Sequence, residues 1–184
     1  MNIRRIVFPI LGLMIFSLPA FAQTGPTPQL ETVASVDLNR YSGRWYEIAR
    51  YPNRFQKDCN GNTTADYKLL PDGKIEVINQ CRKSGGSLKA AKGEARIVDG
   101  ATNAKLEVRF APSFLSFLPF VWGDYWIIDL GPDYEYSVVG DPSRKYFWIL
   151  AREPRIDEQT FAGILERAKA KGFDPNKVAK TPQS

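Results

Sequence analysis

Residues 43–52 read GRWYEIARYP. The stretch alternates as a strand does, with Trp45, Glu47, Ala49 and Tyr51 on one face and Tyr46, Ile48 and Arg50 on the other. Each face carries both apolar and charged side chains, so neither is simply core or solvent. Gly43 opens the stretch, two residues before Trp45, where the chain can make a tight entry.

Working outward, short strand-like runs recur with turn signals between them. Arg44–Tyr51 is the first and Thr63–Leu70 the second. Pro71-Asp72-Gly73 then turns the chain, because proline presets one dihedral and glycine accepts a positive one. Lys74–Cys81 returns antiparallel, which puts Cys59 and Cys81 at the same end of the pair. Leu88–Val98 (with a bend expected at Gly93), Lys105–Phe110, Asp124–Leu130, Tyr134–Gly140 and Tyr146–Arg152 complete eight strands. Short turns join them, the pattern of an all-β, antiparallel up-and-down barrel or a sandwich. Only the end is helical: Asp157 is an N-cap, and Phe161, Ile164, Leu165 and Ala168 recur at helical spacing up to Gly172.

The totals narrow the chemistry. Arg4 and Arg5, an apolar run over residues 6–18 and the small-x-small site Ala20-Phe21-Ala22 make residues 1–22 a cleaved export signal. The run is shorter than the roughly 20 residues needed to span a bilayer. Taking residues 1–22 from 184 leaves 162, enough for one domain. Residues 23–35 read as a flexible leader and residues 36–184 as the domain. The formal charge falls from +5 to +3, because Arg4 and Arg5 leave with the signal. Lysines and arginines are scattered among acids, so no nucleic-acid partner is expected. Histidine is absent, which removes the usual general base and the commonest transition-metal ligand. No metal and no cofactor are expected. Two cysteines in an exported chain favour a Cys59–Cys81 disulfide.

Three separated motifs carry a family resemblance. NRYSGRWYEIARYPNRFQKDC, GPDYEYSVVG and YFWILAREP resemble, in order and place, the three signatures of the lipocalin family. The likeness covers nearly all of residues 36–171 and is strongest to bacterial lipocalins of the outer-membrane lipoprotein type and to apolipoprotein D. It implies an eight-stranded lipocalin barrel with the C-terminal helix packed on its outside. It also implies that Trp45, at the start of the first strand, meets Arg152, at the end of the eighth. A guanidinium laid on the indole is a cation–π contact worth about 0.5–2 kcal/mol. Asp133 and Tyr134 arrive at the same closed end by their own turn, and Gly43 lies beneath the tryptophan. These residues are structural.

The other end is then open, and an eight-stranded barrel encloses room for one small ligand. Parity carried from the motifs points Ala49, Tyr51, Ala65, Tyr67, Val108, Phe110, Tyr125, Ile127, Tyr146, Trp148 and Leu150 inward. Together they describe an apolar, aromatic cavity with a few hydroxyls. Glu47 shares the inward parity, and a buried carboxylate needs a partner that the sequence does not identify. Tyr146, Arg109 and Arg54 stand near the mouth for a polar head. One loop departs from the usual polar surface connection. Residues 111–123, APSFLSFLPFVWG, place Phe114, Phe117, Phe120 and Trp122 at the open end. Three readings stay open: a lid over the cavity, a peripheral membrane contact, or a homodimer surface.

The resemblance implies a carrier for a fatty acid or lysophospholipid, with a role in cell-envelope lipid storage, transport or repair. No catalytic residue is assigned. The alternatives are a protein-interaction module built on residues 111–123, or an isomerase or de-epoxidase of lipocalin type with Glu47 as its inward acid. The bacterial relatives are lipid-anchored through a cysteine that this chain lacks, so a soluble periplasmic or secreted protein is expected.

Overall fold

The computed structural model describes residues 28–184. The expected signal, residues 1–22, and the start of the leader lie outside the described residues. Eight antiparallel strands close into a barrel: β1 Gly43–Arg50, β2 Cys59–Leu69, β3 Ile75–Lys83, β4 Leu88–Ile97, β5 Lys105–Arg109, β6 Gly123–Leu130, β7 Tyr136–Gly140 and β8 Phe147–Ala151. Each pairs with the next, and β1 pairs with both β2 and β8 to complete the ring. A short helix α1, Leu38–Tyr41, precedes the ring, and α2, Glu158–Ala170, follows it. A last strand, β9 Ala179–Lys180, adds to β1.

Two apolar clusters divide the molecule, one inside the barrel and one outside. Trp45, Leu106, Ile127 and Val139 pack with Tyr41 and Tyr67 within the barrel towards its closed end. Phe161, Ile164 and Ala168 of α2 pack on the outer wall against Ile128, Val138 and Ile149. The Asp157 carboxylate accepts from Thr160 N at 2.8 Å and starts α2 as expected. Residues 28–35, expected within a flexible leader, are laid against the barrel. Leu30 is buried, Val33 N donates to Ile127 O, and Arg144 donates to Pro28 O.

The closed end is built as the motifs imply. The Arg152 guanidinium lies 3.8 Å from the centroid of the fully buried Trp45 and donates to Arg44 O. Trp45 Nε1 donates to Tyr41 O at 2.8 Å. Gly43 has φ +96, and a Cβ there would touch the Arg152 guanidinium. Asp133 and Tyr134 occupy the turn before β7, with Tyr134 at φ +62 rather than in the strand. Its hydroxyl accepts from Asp37 N, and Arg40 stacks on its ring at 4.1 Å.

β2 begins four residues earlier than the hydrophobic pattern indicates, at Cys59, across irregular pairing around Gly61. Cys59 and Cys81 form the disulfide that staples β2 to β3 near the mouth. Their separation of 22 residues corresponds to about 3 kcal/mol in the chain-entropy model. Reduction should therefore lower the melting temperature by about 6–12 °C for a chain of this size. Thermal melts of the oxidised protein and a Cys59→Ser/Cys81→Ser variant test this. Coincident melts would mean that the bridge adds no stability.

Candidate ligand-binding cavity

A cavity of about 690 Å³ opens at the end opposite Trp45 and Arg152. That volume lies within the roughly 300–1,000 Å³ of small-molecule sites. Val77, Val108, Leu150 and Trp148 supply apolar wall, and Ala65 and Ala91 leave space between them. Tyr67, Val108, Phe110, Tyr125, Tyr146 and Trp148, all expected inside, line it. Gly93 makes room for Phe110, whose ring stands where a Cβ on Gly93 would be. Tyr146 and Trp148 stack at 5.8 Å, and Phe55 packs on Tyr146 at 5.5 Å.

Three residues expected to point into the cavity, Ala49, Tyr51 and Ile127, lie elsewhere. Tyr51 points out of the barrel, between Phe147 and Phe173, with its hydroxyl donating to Asp174 O. The cause is a break in β1–β8 register between Glu47 and Ala49, which turns Ala49 and Tyr51 to the outer face. Ile127 does face inward but packs in the core at the closed end, beyond the cavity lining.

Glu47 finds its partners locally and at the far end of the chain. Arg50 Nη1 donates to its carboxylate at 2.9 Å, and Thr181 Oγ1 donates at 2.6 Å. Gln56 Nε2 donates to the other carboxylate oxygen, while Gln56 Oε1 accepts from Trp148 Nε1. The carboxylate is thus held on both oxygens rather than offered to a guest.

Arg54 lines the mouth as expected, but Arg109 does not. Arg109 is buried against Glu94, Ala111 O and the Trp122 ring, so it steadies the loop rather than receiving a head group. Lys89 takes its place at the rim, with Asp58 as a partner at 3.4 Å. Sequence reasoning missed it because a lone rim lysine on a strand looks like any solvated lysine. Thr63 and Asn79 were also missed; both line the cavity, and each has a buried side-chain oxygen with no hydrogen-bond partner among the described residues.

The apolar loop is neither a closed lid nor loose. Trp122 is pinned between Arg96 at 4.2 Å and Arg109 at 5.1 Å, and donates to Ser116 O. Phe120, Val121 and Trp122 edge the cavity. Phe114, Phe117 and Phe120 are 73%, 76% and 79% exposed, so their rings project outward from the mouth.

A family profile described as a lipocalin-like domain matches residues 36–183. The chain is a lipocalin. It is 43% identical over 158 residues to temperature-induced lipocalin-1 of Arabidopsis thaliana, covering 85% of this chain and 84% of that one. It is 34% identical over 174 residues to the outer membrane lipoprotein Blc of Escherichia coli K12, covering 93% and 94%. Mouse apolipoprotein D is 33% identical over 169 residues, covering 87% and 84%. Among solved structures, insecticyanin from the tobacco hornworm superposes with a TM-score of 0.66 over 87% of each chain at 22% identity, which shows a shared fold. The lipocalin family generally binds and transports small hydrophobic ligands. Among the described residues, no helix of this lipocalin is long and apolar enough to cross a membrane.

Proposed function

We propose that this lipocalin carries a fatty acid or lysophospholipid, taking it up at a membrane surface in the cell envelope. The observation that carries the reading is the cavity itself: an apolar shaft with Arg54 and Lys89 at its rim. The acyl chain would lie against Val77, Val108 and Trp148, where each buried methylene contributes about 0.8 kcal/mol. The rim cations suit a carboxylate or phosphate head. The exposed phenylalanines beside the mouth would dip into the bilayer that supplies the guest. No bond is made or broken, and the fully engaged Glu47 supports that view. Release into the periplasm or the medium as a soluble protein is part of the same proposal.

A tryptophan-fluorescence titration of the oxidised protein with a lysophospholipid and a long-chain fatty acid tests the carrier role. Saturable one-to-one quenching at micromolar concentration or tighter is expected, much reduced in Trp148→Phe. No response to either lipid, with no guest found by native mass spectrometry, would sink the reading. A Phe114→Ser/Phe117→Ser variant should keep its affinity for free lipid and lose its pelleting with anionic vesicles. The exposed rings also favour a second reading, a protein or self-association surface. Concentration-dependent association abolished by the same variant, without vesicle binding in the parent, would select it.

A further inference from the structure

Four hydroxyls run in a row beneath the cavity. Tyr67 Oη lies 2.8 Å from Tyr125 Oη, which lies 2.9 Å from Tyr41 Oη, which lies 3.0 Å from Ser137 Oγ. No other protein partner reaches any of these four oxygens among the described residues. Each hydroxyl can donate once. Four protons therefore meet three contacts, and one proton is left over.

Where that proton sits is decided by burial. On Tyr41 or Ser137, which are 2% and 0% exposed, it would be stranded without an acceptor. An unsatisfied buried donor is costly enough to disfavour both arrangements. On Tyr67 or Tyr125, which line the cavity, it can be given to a guest or to water. The spare donor is thus directed into the cavity by the arrangement of the row.

The depth of the subsite sets what it can accept. Tyr67 pairs with Gly43, at the closed end of β1, whereas the lining cations Arg54 and Lys89 belong to the mouth. A carboxylate inserted this far would lose water and gain no counter-charge. Burial also keeps the row protonated. It pushes the Tyr41 phenol up to about 12, and those of Tyr67 and Tyr125 well above the ordinary range.

We propose that Tyr67 and Tyr125 form a neutral donor subsite at the cavity floor, selecting guests whose inserted end carries a hydroxyl or carbonyl oxygen. The inference rests on the carrier reading and narrows it from acyl chains in general to chains oxidised at the end remote from the head group. A plain methyl terminus would offer no acceptor and leave the donor unpaired.

Dodecanoic, tetradecanoic and hexadecanoic acids, each titrated against its ω-hydroxy counterpart, provide the test. For at least one chain length, the hydroxylated acid should bind roughly fivefold or more tightly, as expected for one net hydrogen bond. Tyr67→Phe alone should keep that preference, because the spare proton moves to Tyr125. Tyr125→Phe alone should keep it too, because Tyr67 is then free to donate. The double variant should lose the preference while still binding the plain acids, which also shows that its cavity is intact. Equal binding within every pair by the parent protein overturns the proposal, as does a preference that survives the double variant or is abolished by either single one. If neither member of any pair binds, the carrier reading fails and this proposal falls with it. Binding without preference removes this proposal alone.

Discussion

Replacing Trp45 with alanine should destabilise the protein by about 3–5 kcal/mol, the usual cost of emptying a buried tryptophan site. The indole is completely buried, between the Tyr41 ring at 4.9 Å and the Arg152 guanidinium at 3.8 Å. Two effects would be lost together. The cation–π contact contributes about 0.5–2 kcal/mol, so cavity formation is the larger part. Arg152→Ala should accordingly cost less than Trp45→Ala. It would still uncover the indole and free Arg44 O and Arg40 O, which the guanidinium now satisfies. Urea unfolding of the parent and both variants would measure this. A Trp45→Ala loss below about 1 kcal/mol would show that the closed end does not depend on the indole.

Glu47→Ala should cost a similar amount for a different reason. The Glu47 and Arg50 side chains are only 4% and 15% exposed, so removing the carboxylate leaves a guanidinium buried without its counter-charge. Breaking a buried pair in this way typically costs about 3–5 kcal/mol. Arg50 Nη1 would keep its hydrogen bond to Thr181 Oγ1 at 3.0 Å, but a neutral hydroxyl does not replace the lost counter-charge. Glu47→Gln should be milder, since the amide oxygen can still accept from Arg50 or Thr181. The same substitution should loosen the segment around Thr181. Hydrogen exchange at the Thr181 and Asn62 amides, which bond to Ile48 O and Pro182 O, would report it. Unchanged protection at both amides in Glu47→Ala would show that the carboxylate does not hold that segment.

Much of the barrel is legible in its residues because the determining features are local. Alternation marks the strands, Pro71-Asp72-Gly73 marks a hairpin, and Asp157 marks the helix start. The meeting of Trp45 with Arg152 follows once eight strands close into a ring. Parity carried from the motifs gives the inward faces of β2, β5 and β8, and Ala65, Tyr67, Val108, Phe110, Trp148 and Leu150 line the cavity. Parity fails on β1 because the slip beside Ile48 involves no glycine or proline to announce it. It places Ile127 on the correct face but says nothing about depth. Arg109 and Glu47 were beyond reach for another reason. Besides local partners, Arg109 meets Glu94 and Trp122, and Glu47 meets Thr181, 134 positions away, through tertiary packing that no local pattern announces.

The segment that carries Thr181 has a further consequence. β1 and β2 pair only from Gly43 to Tyr46, and above that level they part. Residues 179–184 fill the opening: Thr181 N donates to Ile48 O, Pro182 O accepts from Asn62 N, and Gln183 bridges Glu47 O and Thr63 O. The seam of the vessel is therefore sewn with thread that leaves the ribosome more than a hundred residues after the cloth it joins. Contacts so distant along the chain form late in folding. An emerging chain has no sealed wall and cannot retain a guest during its own synthesis. A guest can therefore be enclosed only after residues 179–184 have closed the wall between β1 and β2.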